Sequence, residues 1–271
     1  MAQIDMYRIQ PGETLDLAAL DTRDVGLYPE LSKKGSPEVL AGLTKRLSEL
    51  QQMLWADGER SLLVVIQAMD TGGKDGTIRR VFSGVNPQGV DVHGFGVPSE
   101  LELAHDYLWR IHARTPSDGR IGIFNRSHYE DVLVVRVLSL IPEQRWAKRF
   151  HHIRSFEQML ADEGTAIVKI MLNISKDEQK DRLEARLADP AKTYKFNPGD
   201  LGTRARWNDY MDAYQEAIME TSTVSAPWYV VPADRKWYRN LVVSRILIET
   251  LEGLDLAFPE PDFDPASVVI E

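Results

Sequence analysis

The stretch from Ser61 to Arg80 constrains this chain more than any other. An apolar run, Leu62-Leu63-Val64-Val65-Ile66, ends abruptly at Gln67-Ala68-Met69-Asp70-Thr71. Gly72-Gly73-Lys74-Asp75-Gly76 follow, then a segment compatible with a helix. An unbroken apolar run of this length reads as a strand buried on both faces, which requires a sheet with helices on either side. The turn after it has the grammar of a Walker A phosphate loop. Glycines let backbone N–H groups curl around phosphate oxygens, a lysine adds positive charge, and the next helix aims its N-terminal dipole at the anion. Gly72, Gly73, Lys74, Asp75 and Gly76 are the expected cradle. The pattern departs from the usual one twice: Ala68 stands at the first glycine and Asp75 at the Ser/Thr that normally ligates Mg²⁺. Asp70 puts a carboxylate inside the loop, which suits a hard cation that prefers oxygen. Taken alone, Gly-Gly-Lys also fits an ordinary βα turn; the strand before it and the helix after it favour phosphate.

The rest of the chain repeats the alternation. A helix is expected from Ser36-Pro37, with an apolar stripe at Leu40, Leu43, Leu47, Leu50 and Leu54, stopped by Gly58. Further strands are expected at Val90–Phe95, Ile121–Asn125, Ala166–Ile174 and Pro227–Val231. Helices are expected at Lys74–Val85, from the capping box Ser99-Glu100-Leu101-Glu102 to His112, and through a long region broken at Pro142. Others run from Ser175 to Ala188, from Asp200 to Glu220 and from Lys236 to Gly253. Five β-runs separated by helices predict one α/β domain over residues 1–271, with a central five-stranded parallel sheet between helical layers. Residues 1–35 are expected as an N-terminal arm, and about 176–206 as an inserted helical lid. The ligand belongs at the carboxyl ends of the strands.

Composition narrows the function. There is no cysteine, so disulfides, thiolate metal sites and cysteine nucleophiles are excluded. No stretch approaches a membrane span and the first residues lack a basic, apolar leader pattern, so a soluble, cytoplasmic protein is expected. The formal net charge of −9 disfavours nucleic acid as partner. Basic residues cluster locally nonetheless, which suits either a specific polyanion or helix faces paired with Glu and Asp.

A phosphate kinase needs a cradle, metal ligands, arginines for the transferred charge and a closure that excludes water. Asn125-Arg126-Ser127-His128-Tyr129-Glu130-Asp131 follows the third strand, at the edge where a ligand lies. Arg126 is a candidate for bidentate phosphate contact, although a structural ion pair with Glu130 is the plainer alternative. Asn125, Arg126 and Glu130 are candidates for nucleotide contact, and His128 for scaffolding. Arg182 and Arg186 share one helix face and, with Lys192 and Lys195, are expected to clamp phosphates when the lid closes. Arg79 and Arg80 are expected to guide a long anionic chain.

Ala68–Gly76 together with Phe124–Asp131 closely resembles the polyphosphate kinase 2 family. The resemblance extends through Asp106–Arg110, Ile174–Gln179 and Ala226–Tyr229, nearly the whole chain. It implies a P-loop kinase fold with a lid, and inorganic polyphosphate as phosphoryl donor to nucleotides. Mg²⁺, or Mn²⁺ in its place, is implied as cofactor, and a homo-oligomer, a tetramer, as assembly. On this resemblance Asp70, Lys74, Arg126 and Glu130 are the expected catalytic residues, with Asp70 and Asn125 at the metal. Asn125 replaces an Asp found in many members, with Glu130 as the compensating acid nearby. The Asn-Arg-Ser-His-Tyr-Glu version is similar to class III members, which phosphorylate both AMP and ADP and so serve ATP regeneration. An ATP-dependent nucleotide or nucleoside kinase of the same fold, and a non-catalytic phosphate-binding module, are the alternatives.

Overall fold

The apolar β-branched runs form strands, and the strands assemble into one sheet. The structure is a computed structural model that describes residues 3–270; Met1, Ala2 and Glu271, the ends of the expected arm and tail, lie outside the described residues. The five expected parallel strands are β2 (Ser61–Gln67), β3 (Val90–Gly94), β4 (Ile121–Asn125), β5 (Thr165–Asn173) and β6 (Trp228–Pro232). A sixth, β1 (Arg8–Ile9), lies in the N-terminal arm and pairs antiparallel with β6. The order β1-β6-β5-β2-β4-β3 makes the sheet mixed at one edge and puts β2 near its centre. Leu62 to Ile66 are fully buried, as a strand covered on both faces must be.

Helices α1 (Ser36–Asp57), α2 (Lys74–Val81) and α10 (Lys236–Glu252) pack as one group. Helices α5 (Glu130–Val137), α6 (Glu143–Asp162) and α9 (Trp207–Thr221) pack as another. α1 ends at Gly58 in the left-handed conformation, as the glycine stop predicts. The arm lies on the body, with Ile4, Tyr7, Ile9, Leu15, Leu17 and Leu27 buried.

Several boundaries differ from expectation, for local reasons. The helix expected from Ser99 to His112 is two short turns, α3 (Glu100–Leu103) and α4 (Trp109–His112). The Ser99 capping box forms, but the Asp106 carboxylate accepts from Leu108 N at 2.9 Å and starts a new turn. The expected helix from Asp200 to Glu220 breaks at Arg206 into α8 (Gly199–Ala205) and α9. The Arg206 guanidinium reaches across to Val137 O at 2.6 Å. α7 (Lys176–Ala188) starts from a half-formed box. Ser175 caps Glu178 N, but Ser175 N donates to Asp234, and Glu178 turns to Arg182 instead. No helix among the described residues is long and apolar enough to cross a membrane.

Candidate phosphate-transfer site

β2 and β4 are neighbours, with Ile66 opposite Asn125, so the segments leaving their carboxyl ends meet. The strand order reverses beside β2, the kind of place where open α/β sheets form ligand crevices. The loop Ala68–Gly73 turns through left-handed Thr71 (φ 62°) and Gly73 (φ 105°) before α2 begins at Lys74. A Cβ on Gly72 would meet the Ala68 Cβ at 2.5 Å. Ala68 is therefore accommodated at the first-glycine position because Gly72 has no side chain. Lys74 folds back along the loop and donates Nζ to Ala68 O at 2.9 Å. Burial, with the neighbouring Arg126, lowers its pKa, and Asp70, Glu130 and Asp75 oppose the fall.

From the β4 side, Arg126 sits at φ 62° and donates Nη2 to Asp70 Oδ1 at 3.0 Å. Burial alone would lower the Arg126 pKa; Glu130 and Asp70 outweigh it and hold the guanidinium charged. The Glu130 carboxyl is pushed up by burial and pulled back by Arg126 and Lys74. The Gln67 amide satisfies its surroundings when its oxygen faces Ser127 and its nitrogen donates to Glu130 Oε1 at 3.0 Å. Asn125 donates Nδ2 to Asp75 Oδ1 at 2.7 Å. Asp70, Lys74, Arg126 and Glu130 are thus one electrostatically linked group.

This group rests on a buried network. His128 Nε2 lies 3.2 Å from Glu157 Oε1, and the Tyr129 hydroxyl donates to the same oxygen at 2.8 Å. Lys169 Nζ donates to Glu157 Oε2, to the Tyr129 hydroxyl and to Thr221 O. Burial raises the Glu157 pKa, but Lys169 and His128 overcome it and hold the carboxyl below its usual range. His128 is fully buried behind the loop, in a scaffolding position.

The loop opens into a cleft of about 1010 Å³. Gly72, Gly73, Asp75, Gly76 and Arg79 line it, with Asn125 and Arg126. Arg182, Arg186, Lys192 and Lys195 of the expected lid line it as well, with Glu178, Asp181 and Asp200 among them. Arg80 is placed differently: one position along α2 from Arg79, it faces a groove with Pro37, Leu40 and Lys45 of α1. Successive helical residues point about 100° apart, and here that step turns Arg80 towards α1.

Arg182 is also bound more tightly than a free clamp. Nη1 donates to Thr71 O and Gly72 O, Nη2 to Ala233 O and Asp234 O, and Nε to Glu178. Its donors hold the back of the phosphate loop. Arg186 is 3.6 Å from Asp200 and donates to Lys195 O, and Lys192 pairs with Asp189. Among the cleft residues that sequence reasoning missed are Asp200 of α8, and Lys236 and Arg239 of α10. A basic pair spaced three apart at the start of the last helix, just after a strand end, was the available signal.

Among the described residues, no group of three or more His, Cys, Asp or Glu side chains is placed to hold a metal ion. What the loop side of the cleft offers is the Asp70 and Asp75 carboxylates and the Asn125 amide, whose nitrogen is bonded to Asp75. That donor set fits Mg²⁺, which is commonly held by one or two carboxylates together with water and substrate phosphates.

The model of the family described as Polyphosphate kinase 2 matches residues 30–258. An AMP/ADP-polyphosphate phosphotransferase of Meiothermus ruber is 57% identical over 98% of this chain and 99% of its own length. An ADP-polyphosphate phosphotransferase of Rhodopseudomonas palustris is 46% identical over 94% of this chain and 91% of its own. The crystal structure of Polyphosphate Kinase 2 from Arthrobacter aurescens superposes with a TM-score of 0.95 at 44% identity, over 98% of this chain and 95% of that one.

Proposed function

Since the chain belongs to the polyphosphate kinase 2 family, we propose that it transfers a phosphoryl group from inorganic polyphosphate to AMP and ADP, forming ADP and ATP. The observation that carries this reading is the charge of the cleft lining, in which nine Lys and Arg side chains outnumber five Asp and Glu side chains. An adenine-bearing donor calls for an apolar pocket, whereas an inorganic chain calls for cations along its length.

The terminal phosphate of the donor lies in the loop against Lys74 and the amides of Gly72, Gly73 and Gly76. A terminal phosphate oxygen of the nucleotide, already ionised at neutral pH, attacks the donor's terminal phosphorus in line. The bond from that phosphorus to the bridging oxygen of the next unit breaks. The electron pair leaves with a chain one phosphate shorter. No strong base is required, so catalysis is positioning and charge stabilisation. Lys74 and Arg126 face the charge that spreads over the equatorial oxygens. Asp70 fixes Arg126 through their 3.0 Å ion pair, and Glu130 with Asn125 orients the nucleotide. Mg²⁺, or Mn²⁺, held by Asp70 and the Asn125 oxygen, supplies neutralisation of phosphate charge when bound. Residues 176–206 act as a lid that carries Arg186, Lys192 and Lys195 over the chain and excludes water. The whole chain is read as one domain working in the cytoplasm as a homo-oligomer, a tetramer.

The test supplies AMP, ADP and GDP separately with long-chain polyphosphate as sole donor and Mg²⁺ present. Formation of ADP and ATP from the adenine nucleotides is expected. Product that forms only when ATP replaces polyphosphate would make the protein an ATP-dependent kinase. Binding without turnover would leave a phosphate-binding module.

A further inference from the structure

Among the described residues, Arg239 is a buried cleft cation with no acid partner. Arg239 of α10 is 3% exposed, and its hydrogen bonds among the described residues go to the Asn240 side chain, from Nε at 3.2 Å and Nη2 at 2.9 Å. Nη1 is not used. The guanidinium lies directly on Gly73: a Cβ there would collide with Nη1, and a Cβ on Gly76 would lie 3.6 Å from Nη2. It therefore covers the first turn of α2, where the loop amides and the helix dipole create the anion site. Lys236, three residues earlier and so on the same helix face, is exposed and lines the same cleft.

The contrast with Arg182 is informative. Both guanidinium groups are buried beside the loop, yet Arg182 directs its donors at five protein oxygens. Arg239 has one acceptor, and burial together with Arg182 pushes its pKa down to about 9. A buried charge with no counter-charge is unfavourable in the ligand-free protein. An anion arriving at the loop removes that penalty.

We propose that Arg239 is a catalytic residue that closes its free Nη1 edge on a phosphate of the inorganic chain held at the loop, and that Lys236 takes the next stretch of the chain. The donor then leaves the cleft along α10, not past Arg80. This rests on the reading that the inorganic chain, and not the nucleotide, occupies the loop.

The experiment measures KM for long-chain polyphosphate and for ADP, with ligand-free Tm, in the full-length protein and in Arg239→Gln, Arg239→Lys and Lys236→Gln. Loss of one charge-assisted contact raises KM by about tenfold or more. Arg239→Gln is expected to raise the polyphosphate KM by that factor, to leave the ADP KM within about twofold, and to leave ligand-free Tm unchanged or higher, because it removes an unpaired buried charge. Arg239→Lys recovers part of the loss. Lys236→Gln, on the surface, raises the polyphosphate KM about threefold, as a screened exposed contact should. A polyphosphate KM unchanged in both Gln variants overturns the proposal while leaving the enzyme's function intact. An ADP KM that rises with or above the polyphosphate KM places the nucleotide at Arg239 and overturns it too. A Tm several degrees lower, with both KM values unchanged, makes Arg239 a structural support. A wild-type protein that ignores polyphosphate altogether removes the functional reading first, and this proposal with it.

Discussion

Lys74 and Asp70 are the residues proposed to carry the chemistry, and the structure gives each a testable consequence. Lys74 is a cation whose burial lowers its pKa, so the fold does not depend on its charge. Lys74→Met is expected to lower kcat by about 10²-fold or more, as loss of a preorganised charge does, without lowering Tm. Asp70→Asn keeps the shape but removes the Arg126 ion pair and the carboxylate proposed to hold the metal. It is expected to reduce turnover by a similar factor and to weaken the response to added Mg²⁺, read as the metal concentration for half-maximal rate. Gly73 makes the opposite case. It sits at φ 105°, and any Cβ would strike Arg239. Gly73→Ala is expected to cost about 1–3 kcal/mol in a denaturant titration and to abolish turnover, because strain and collision act together.

At the scale of elements, the ion pair between α6 and β5 matters most. Lys169 and Glu157 are both fully or almost fully buried and, with Tyr129 and His128, hold the segment that presents Arg126 and Glu130. Lys169→Met leaves a buried carboxylate without its partner and is expected to cost about 3–5 kcal/mol by urea unfolding. The double variant Lys169→Met with Glu157→Gln should recover much of that loss. If the single and double variants are equally unstable, the pair is not the source of the effect. Most of these elements were legible in the sequence. β2 announced itself because a central parallel strand has no polar face, and Gly58 stopped α1 because only glycine enters the left-handed region cheaply. β1 was not legible, since two residues carry no periodicity and its existence depends on β6. The break at Arg206 and the half-box at Ser175 depend on partners in distant segments, Val137 and Asp234. The site followed the same rule. The phosphate loop and the Asn125–Glu130 segment are local words in the sequence. Arg239 and Lys236 join them only through the fold, and Arg80 leaves them because of its angle on α2.

Across the whole molecule, an acidic protein is proposed to hold a polyanion. The net charge of −9 repels phosphate over most of the surface, while Arg79, Arg126, Arg186, Lys192, Lys195 and Lys236 face one cleft. Such focusing raises the local concentration of an anionic chain and is sensitive to ionic strength, because exposed charges are screened within about 8 Å at physiological salt. The polyphosphate KM is therefore expected to rise steadily between low salt and about half-molar salt, and that of AMP to rise less. Equal salt dependence for both substrates would mean that no channel is focused on the chain. The central claim is that this one cleft moves phosphoryl groups from polyphosphate onto nucleotides. Uniformly ³²P-labelled polyphosphate incubated with unlabelled ADP, Mg²⁺ and the full-length protein tests it most directly. The account predicts label in the γ-phosphate of ATP in step with ADP consumed, and almost none with Lys74→Met. Label that stays in the chain or appears only as free phosphate, or transfer that survives Lys74→Met undiminished, would contradict it.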